Sequence, residues 1–153
     1  MNIAQGLLRD SSYYFNDNNV RSGLKQKRKL GTFINELIIG YRSKANIVSY
    51  TFIDDEALLA INQINLQHDT YTDIITFDLS GKKDAVLLAD IFICIVRVKD
   101  NAQQLNIPYQ HELLRVIIHG ALHICGFKDK TAKNQQKMRL LEDGYMQKYL
   151  ALP

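Results

Sequence analysis

From Tyr109 to Cys125 the apolar residues Leu113, Leu114, Val116, Ile117, Ile118, Ala121, Leu122 and Ile124 surround most of a helical axis. A helix apolar on nearly all sides cannot lie on a surface and must be enclosed by other elements. Pro108 suits its first turn, and Gly126 suits a left-handed residue just past its end. The rest of the chain therefore has to supply a sheet, or further helices, to bury it.

It has the material to do so. Residues 46–53 (NIVSYTFI), 73–79 (DIITFDL) and 86–94 are rich in β-branched and aromatic residues and read as strands. Residues 12–15 form a shorter candidate, followed by a polar turn at 16–19. Gly81-Lys82-Lys83-Asp84 has turn chemistry and is expected to join the third and fourth strands as a hairpin, with the fourth central in the sheet. Apolar residues at helical spacing over 24–41 predict an amphipathic helix. Asp54 suits the N-cap of another over 54–66, with Ala57, Leu58, Ile61 and Ile64 facing inward. The pattern turns helical after Val96, and a last helix is expected over 131–150. The fold class expected is α+β (α/β-like): one domain over 1–153, a mixed sheet of about four strands, about five helices around it, and the 109–125 helix at the centre. A hydrophobic content of 46% is enough for such a core, and nothing resembling a repeat or linker divides the chain.

Several classes are disfavoured. The longest apolar run, 85–96, is broken by Asp90 and is too short to span a membrane. The first residues lack the basic and apolar regions of a signal peptide. Cys94 and Cys125 are far apart and form no framework of disulfides, so a reducing, cytoplasmic setting is expected. The net charge of +3 permits a nucleic-acid partner without requiring one. Five of the cations fall within residues 21–29, including Lys25, Lys27, Arg28 and Lys29, with no acid among them. This run reads either as a solvated helix face or as a phosphate-contacting patch.

The buried helix also carries chemistry. His119 and His123 are four residues apart, so both lie on one face, one turn apart, and can converge on one ion. Gly126 lets the chain turn back, and Asp129 follows at the distance of a third ligand. The spacing HxxxHxxGxxD resembles that of the metzincin metalloenzymes. Three protein ligands with one open position describe a catalytic metal site, and two imidazoles with a carboxylate favour zinc, with another divalent transition metal as the alternative. The position after the first histidine is Gly120, where the metallopeptidases have a glutamate base. A peptidase is thereby the weakest reading.

The same segment, His119-Gly-Ala-Leu-His123-Ile-Cys-Gly126-Phe-Lys-Asp129, resembles the signature H-G-x-L-H-L-x-G-Y-D-H of the YbeY family. Thr72-Asp73-Ile74-Ile75-Thr76-Phe77 resembles that family's T-D-V-L-S-F strand. Ala89-Asp90-Ile91 is similar to its G-D-I strand, Glu112-Leu113 to its E-L, and Met138 with Glu142 to its M-x-x-x-E. The resemblance covers roughly residues 45–150. It implies a metal-dependent endoribonuclease of ribosomal-RNA maturation, acting on single-stranded or ribosomal RNA at the small ribosomal subunit. The chain departs from the pattern twice: Asp129 replaces a third histidine, and Leu66 occupies the place of an arginine considered important for activity.

Around the three ligands, Asp90, expected at a sheet end, is a candidate for orienting water or substrate, or else a polar residue closing a strand. His68 is a candidate proton-transfer or phosphate-binding group, or a loop histidine. Glu112 and Arg115, on the histidine face, are candidates for supporting the ligands or lining the cleft, or else solvated helix-start charges. Arg115 is also a candidate RNA contact alongside Lys25, Lys27, Arg28 and Lys29. The alternative from another class is a non-catalytic, metal-containing ribosome-assembly factor that binds RNA.

Overall fold

The computed structural model describes residues 11–66, 73–81 and 86–153. Four strands, β1 (Ser12–Asp17), β2 (Ala45–Ile53), β3 (Ile74–Asp78) and β4 (Val86–Cys94), form one mixed sheet in the order β1-β2-β4-β3. β1, β2 and β4 run parallel, and β3 pairs antiparallel with β4. Parallel neighbours need crossovers. α1 (Lys27–Arg42) links β1 to β2, while α2 (Asp55–Leu66) leads from β2 towards β3. α3 (Ile95–Leu105), α4 (Tyr109–Ile124) and α5 (Ala132–Leu150) follow β4. Among the described residues, the α+β class, the mixed four-stranded sheet, the five helices and the inner position of β4 agree with the expectation.

Alternation along the strands assigns the two faces. Val48, Tyr50 and Phe52 of β2 and Leu87, Ala89, Ile91 and Ile93 of β4 point into the main core, with α1 and α4 against them. The opposite face carries a smaller cluster of Ile53, Leu58, Ile75 and Cys94, where α2 packs. Burying each large aliphatic side chain contributes about 1.5–3 kcal/mol, so the larger face dominates the energetics. α4 lies in that core: Leu113, Val116, Ile117, Ile118, Ala121 and Leu122 are essentially inaccessible. The Tyr50 hydroxyl donates to the Ile117 carbonyl at 3.0 Å, tying the sheet centre to the helix.

Some boundaries differ. β1 continues through Asn16 and Asp17, placed by sequence in a turn, because the parallel ladder to Thr51 and Phe52 satisfies their backbone. α1 starts at Lys27 after a left-handed Gln26, leaving Lys25 outside it. Asp54 does cap α2, accepting from the Ala57 amide at 2.8 Å, but Ile64 faces solvent. Pro108 is the N-cap of α4, one position before its first turn. The β3–β4 pair is antiparallel as expected, while Lys82, Lys83 and Asp84 of the turn lie outside the described residues. Asp90 is the clearest correction. It sits in the middle of β4 between Ser49 and Phe77, not at a sheet end. Because Ala89 and Ile91 face the core, Asp90 points to the other side, and the sheet separates it from α4.

Candidate metal centre

His119 and His123 lie in the last two turns of α4, and the chain then reverses. Gly126 has φ +100°, a conformation side chains resist. Its amide donates to the His123 carbonyl at 2.9 Å, and the Phe127 amide donates to Leu122 at 3.1 Å. These two bonds are the Schellman pair that closes a helix end. The reversal carries Asp129 back over the histidine face, and Thr131 then caps α5 by accepting from the Asn134 amide at 3.1 Å.

Nε2 of His119 and Nε2 of His123 are 2.9 Å apart, and Oδ2 of Asp129 is 3.3 Å from each. The outer nitrogens are both committed. His119 Nδ1 is 3.0 Å from Glu142 Oε2, and His123 Nδ1 is 2.9 Å from the Phe127 carbonyl. A carbonyl only accepts, so His123 Nδ1 must carry the proton. Burial alone would push the Glu142 carboxyl up, but hydrogen bonds from His119 and Arg115 hold it below the usual carboxylate range, so His119 Nδ1 donates as well. Each neutral ring is left with a lone pair on Nε2. With both rings in this tautomer, two Nε2 lone pairs and a carboxylate oxygen face one another.

Such a set is repulsive unless a cation sits between its members. Ligand distances of about 2.0–2.2 Å around tetrahedral zinc imply ligand–ligand edges of about 3.3 Å, close to the Asp129 separations. A positive charge here also meets the negative end of the α4 dipole. The donor set fits a divalent ion. Among the described residues this is the cluster of metal-ligating type. Cys125 stays out of it: burial pushes its thiol up to about 12, so it remains protonated.

Behind His119 stands an ion-pair network that sequence spacing only partly exposed. Arg115 donates from Nε and Nη2 to the two oxygens of Glu112 at 2.6 and 2.8 Å, and from Nη1 to Glu142 Oε1 at 2.7 Å. Glu112 is fully buried and Glu142 nearly so. Those bonds to Glu112, offset in part by burial, raise the Arg115 guanidinium well above its ordinary value. Arg115, expected as an RNA contact, thus has three nitrogens on carboxylates. Glu142 was visible beforehand only as the last residue of M-x-x-x-E.

The other candidates scatter. His68 lies outside the described residues. Lys27 and Arg28 line a cavity of about 600 Å³ beside Tyr13 and Tyr14, and Lys25 and Lys29 flank it in sequence. Lys27 Nζ donates to Phe15 and Lys29 Nζ to Leu152, both backbone carbonyls. α1 meets the α4 terminus at its far end, where Arg42 donates to the Ile124 carbonyl at 2.9 Å. At about 1.5 Å per residue, the basic run is roughly 20 Å from that terminus. Gly120 faces the sheet: a Cβ there would lie 2.9 Å from Ile74 Cδ1 and 3.1 Å from Ile91 Cγ2. A side chain at that position would have to displace Ile74 and Ile91 and would point at the sheet, which counts against a glutamate base of the HExxH kind there.

A family model described as Endoribonuclease YbeY matches residues 16–150. The chain belongs to the YbeY family. Relatives named Endoribonuclease YbeY include one from Porphyromonas gingivalis, 46% identical over 118 residues and 77% of each chain. Another, from Cytophaga hutchinsonii, is 40% identical over 136 residues, covering 89% of this chain and 94% of its own. A Thermotoga maritima protein solved in solution shares the fold, with TM-score 0.61 at 24% identity, covering 90% of this chain and 88% of its own. Within this YbeY chain, the family's signature segment forms the end of α4 and the reversal that follows.

Proposed function

We propose that this chain is a metal-dependent endoribonuclease of ribosomal-RNA maturation, cutting single-stranded RNA with one zinc ion held by His119, His123 and Asp129. The reading takes 1–153 as one hydrolase domain working in the cytoplasm on RNA of the small ribosomal subunit. No helix among the described residues is long and apolar enough to cross a membrane. The observation that carries the proposal is the convergence of three acceptor atoms whose imidazoles both have their Nδ1 protons engaged elsewhere. When bound, the ion supplies positive charge for a phosphoryl oxygen and lowers the pKa of a water towards about 7.

The chain's own groups prepare for this. Glu142 and the Phe127 carbonyl hold each Nδ1 proton, which fixes both tautomers and turns Nε2 inward. Asp129 is the most exposed of the three, at 37% against 15% for the His119 side chain, so RNA reaches the cluster on its side. Lys25, Lys27, Arg28 and Lys29 serve as distant phosphate contacts. They act on affinity, and their neutralisation to glutamine lowers the log–log salt slope by about 0.7 for each phosphate left without its cation.

The test is elemental analysis beside cleavage of an unstructured oligoribonucleotide. About one zinc per chain is expected, with cleavage abolished in His123→Ala while the fold survives. No transition metal above background after reconstitution refutes the centre. Leu66, standing in the place of the family's arginine, favours a second reading, an assembly factor that binds RNA without cutting it. A metal-loaded protein that binds the strand and never cleaves it establishes that reading instead.

A further inference from the structure

His119 and Asp129 line a cavity of about 160 Å³, and two arginines share its wall. They are in opposite states. Each nitrogen of the Arg115 guanidinium donates to Glu112 or Glu142. Arg139, in the first half of α5, is exposed, and among the described residues no carboxylate lies within ion-pair distance of it. Arg139 and Gln135 also line a neighbouring cavity of about 440 Å³, together with Lys133 and Gln136. The two cavities therefore share a wall, and Arg139 stands where they meet. From Lys128 to Arg139 the chain carries five cations and one acid, Asp129, whose carboxylate is turned to the histidines. Of the next acids along α5, Glu142 is occupied by His119 and Arg115, and Asp143, exposed one turn after Arg139, is not within ion-pair distance of it.

We infer that Arg139 is a substrate-binding residue, receiving an RNA phosphate beside the histidine–aspartate cluster, with Lys133 and Gln135 leading the strand along α5. This rests on the endoribonuclease reading above and supplies what that reading lacks: a cation inside the same cavity with no carboxylate on it among the described residues. A guanidinium presents a planar fork of N–H donors matched to two phosphate oxygens, which an ammonium cannot reproduce. A phosphate contact positions the strand and carries no base preference. The basic run at 25–29 cannot do this job, being roughly 20 Å from the end of α4.

The experiment uses full-length, zinc-loaded protein with labelled oligouridylate for cleavage and its 2′-O-methyl analogue for binding. Arg139→Gln is expected to bind about tenfold more weakly, with a log–log salt slope shallower by about 0.7. The loss is the same for adenylate and cytidylate strands. Zinc content and melting temperature stay parental, since the substitution breaks no ion pair among the described residues. Arg139→Lys keeps the slope and loses part of the single-turnover rate. Parental affinity and slope in Arg139→Gln, with a parent that cleaves, overturn the inference and leave the activity standing. A parent that binds through Arg139 and does not cleave upholds the inference and sinks the nuclease reading. A parent that does not bind the strand overturns both.

Discussion

His119 and His123 present the same atom to the same point, but they are oriented by different kinds of structure. His119 leans on a side chain, Glu142, itself held by Arg115 and, through it, by Glu112. His123 leans on the backbone carbonyl of Phe127, placed there by the reversal at Gly126. One anchor is long-range, joining α4 to α5 across the fold. The other is local, a product of how one helix ends. A side-chain anchor can be deleted by substitution, whereas a backbone anchor can only be displaced. The two histidines should therefore fail in different ways.

Asp129→Ala bears on both at once and should have the largest effect. It leaves two imidazoles without the carboxylate, and stoichiometric zinc should be lost on dialysis. Zinc retained as tightly as in the parent would show that the third ligand is another residue. Glu142→Gln strikes the long-range anchor alone. Its amide oxygen still accepts from His119, but the charge opposite Arg115 is gone. Removing such outer partners costs roughly 10- to 100-fold in metal affinity, read by competition with a chelator. Gly126→Ala strikes the local anchor. Nothing lies within 4 Å of the added carbon, so the cost is the backbone's alone, about 1 kcal/mol of stability by thermal unfolding. Zinc affinity should fall less than in Glu142→Gln; a larger fall would make the turn the stronger anchor. Asp129→His should have the smallest effect, folding and keeping its zinc, because both anchors are untouched.

What could be read beforehand follows the same division. The end of α4 was legible because its determinants are adjacent: histidines one turn apart, a glycine for the reversal, an aspartate three residues on. The link from Glu142 to His119 was not, since nothing local says that α5 returns to that face of α4. Arg115 was placed on the correct face, yet Glu112, three residues earlier, is a helical neighbour within reach of it and competes with RNA for the guanidinium. Asp90 could also have been placed: with Ala89 and Ile91 both apolar, strand alternation sends the residue between them away from the core. For β1, weak local propensity at Asn16 and Asp17 lost to pairing with β2, which no window around them contains.

Because the three donor atoms come from one helix and the turn after it, assembling them closes only a short stretch of chain. Loop-closure entropy rises with the logarithm of length, so little of it stands in the way. On the proposed zinc-centre reading, the unfolded polypeptide also chelates the ion weakly through the same side chains that would hold it in the native protein. Zinc then stabilises both sides of the folding equilibrium, and the melting temperature climbs with zinc concentration less steeply than native affinity alone requires. A peptide spanning residues 119–129, titrated with zinc, measures the difference.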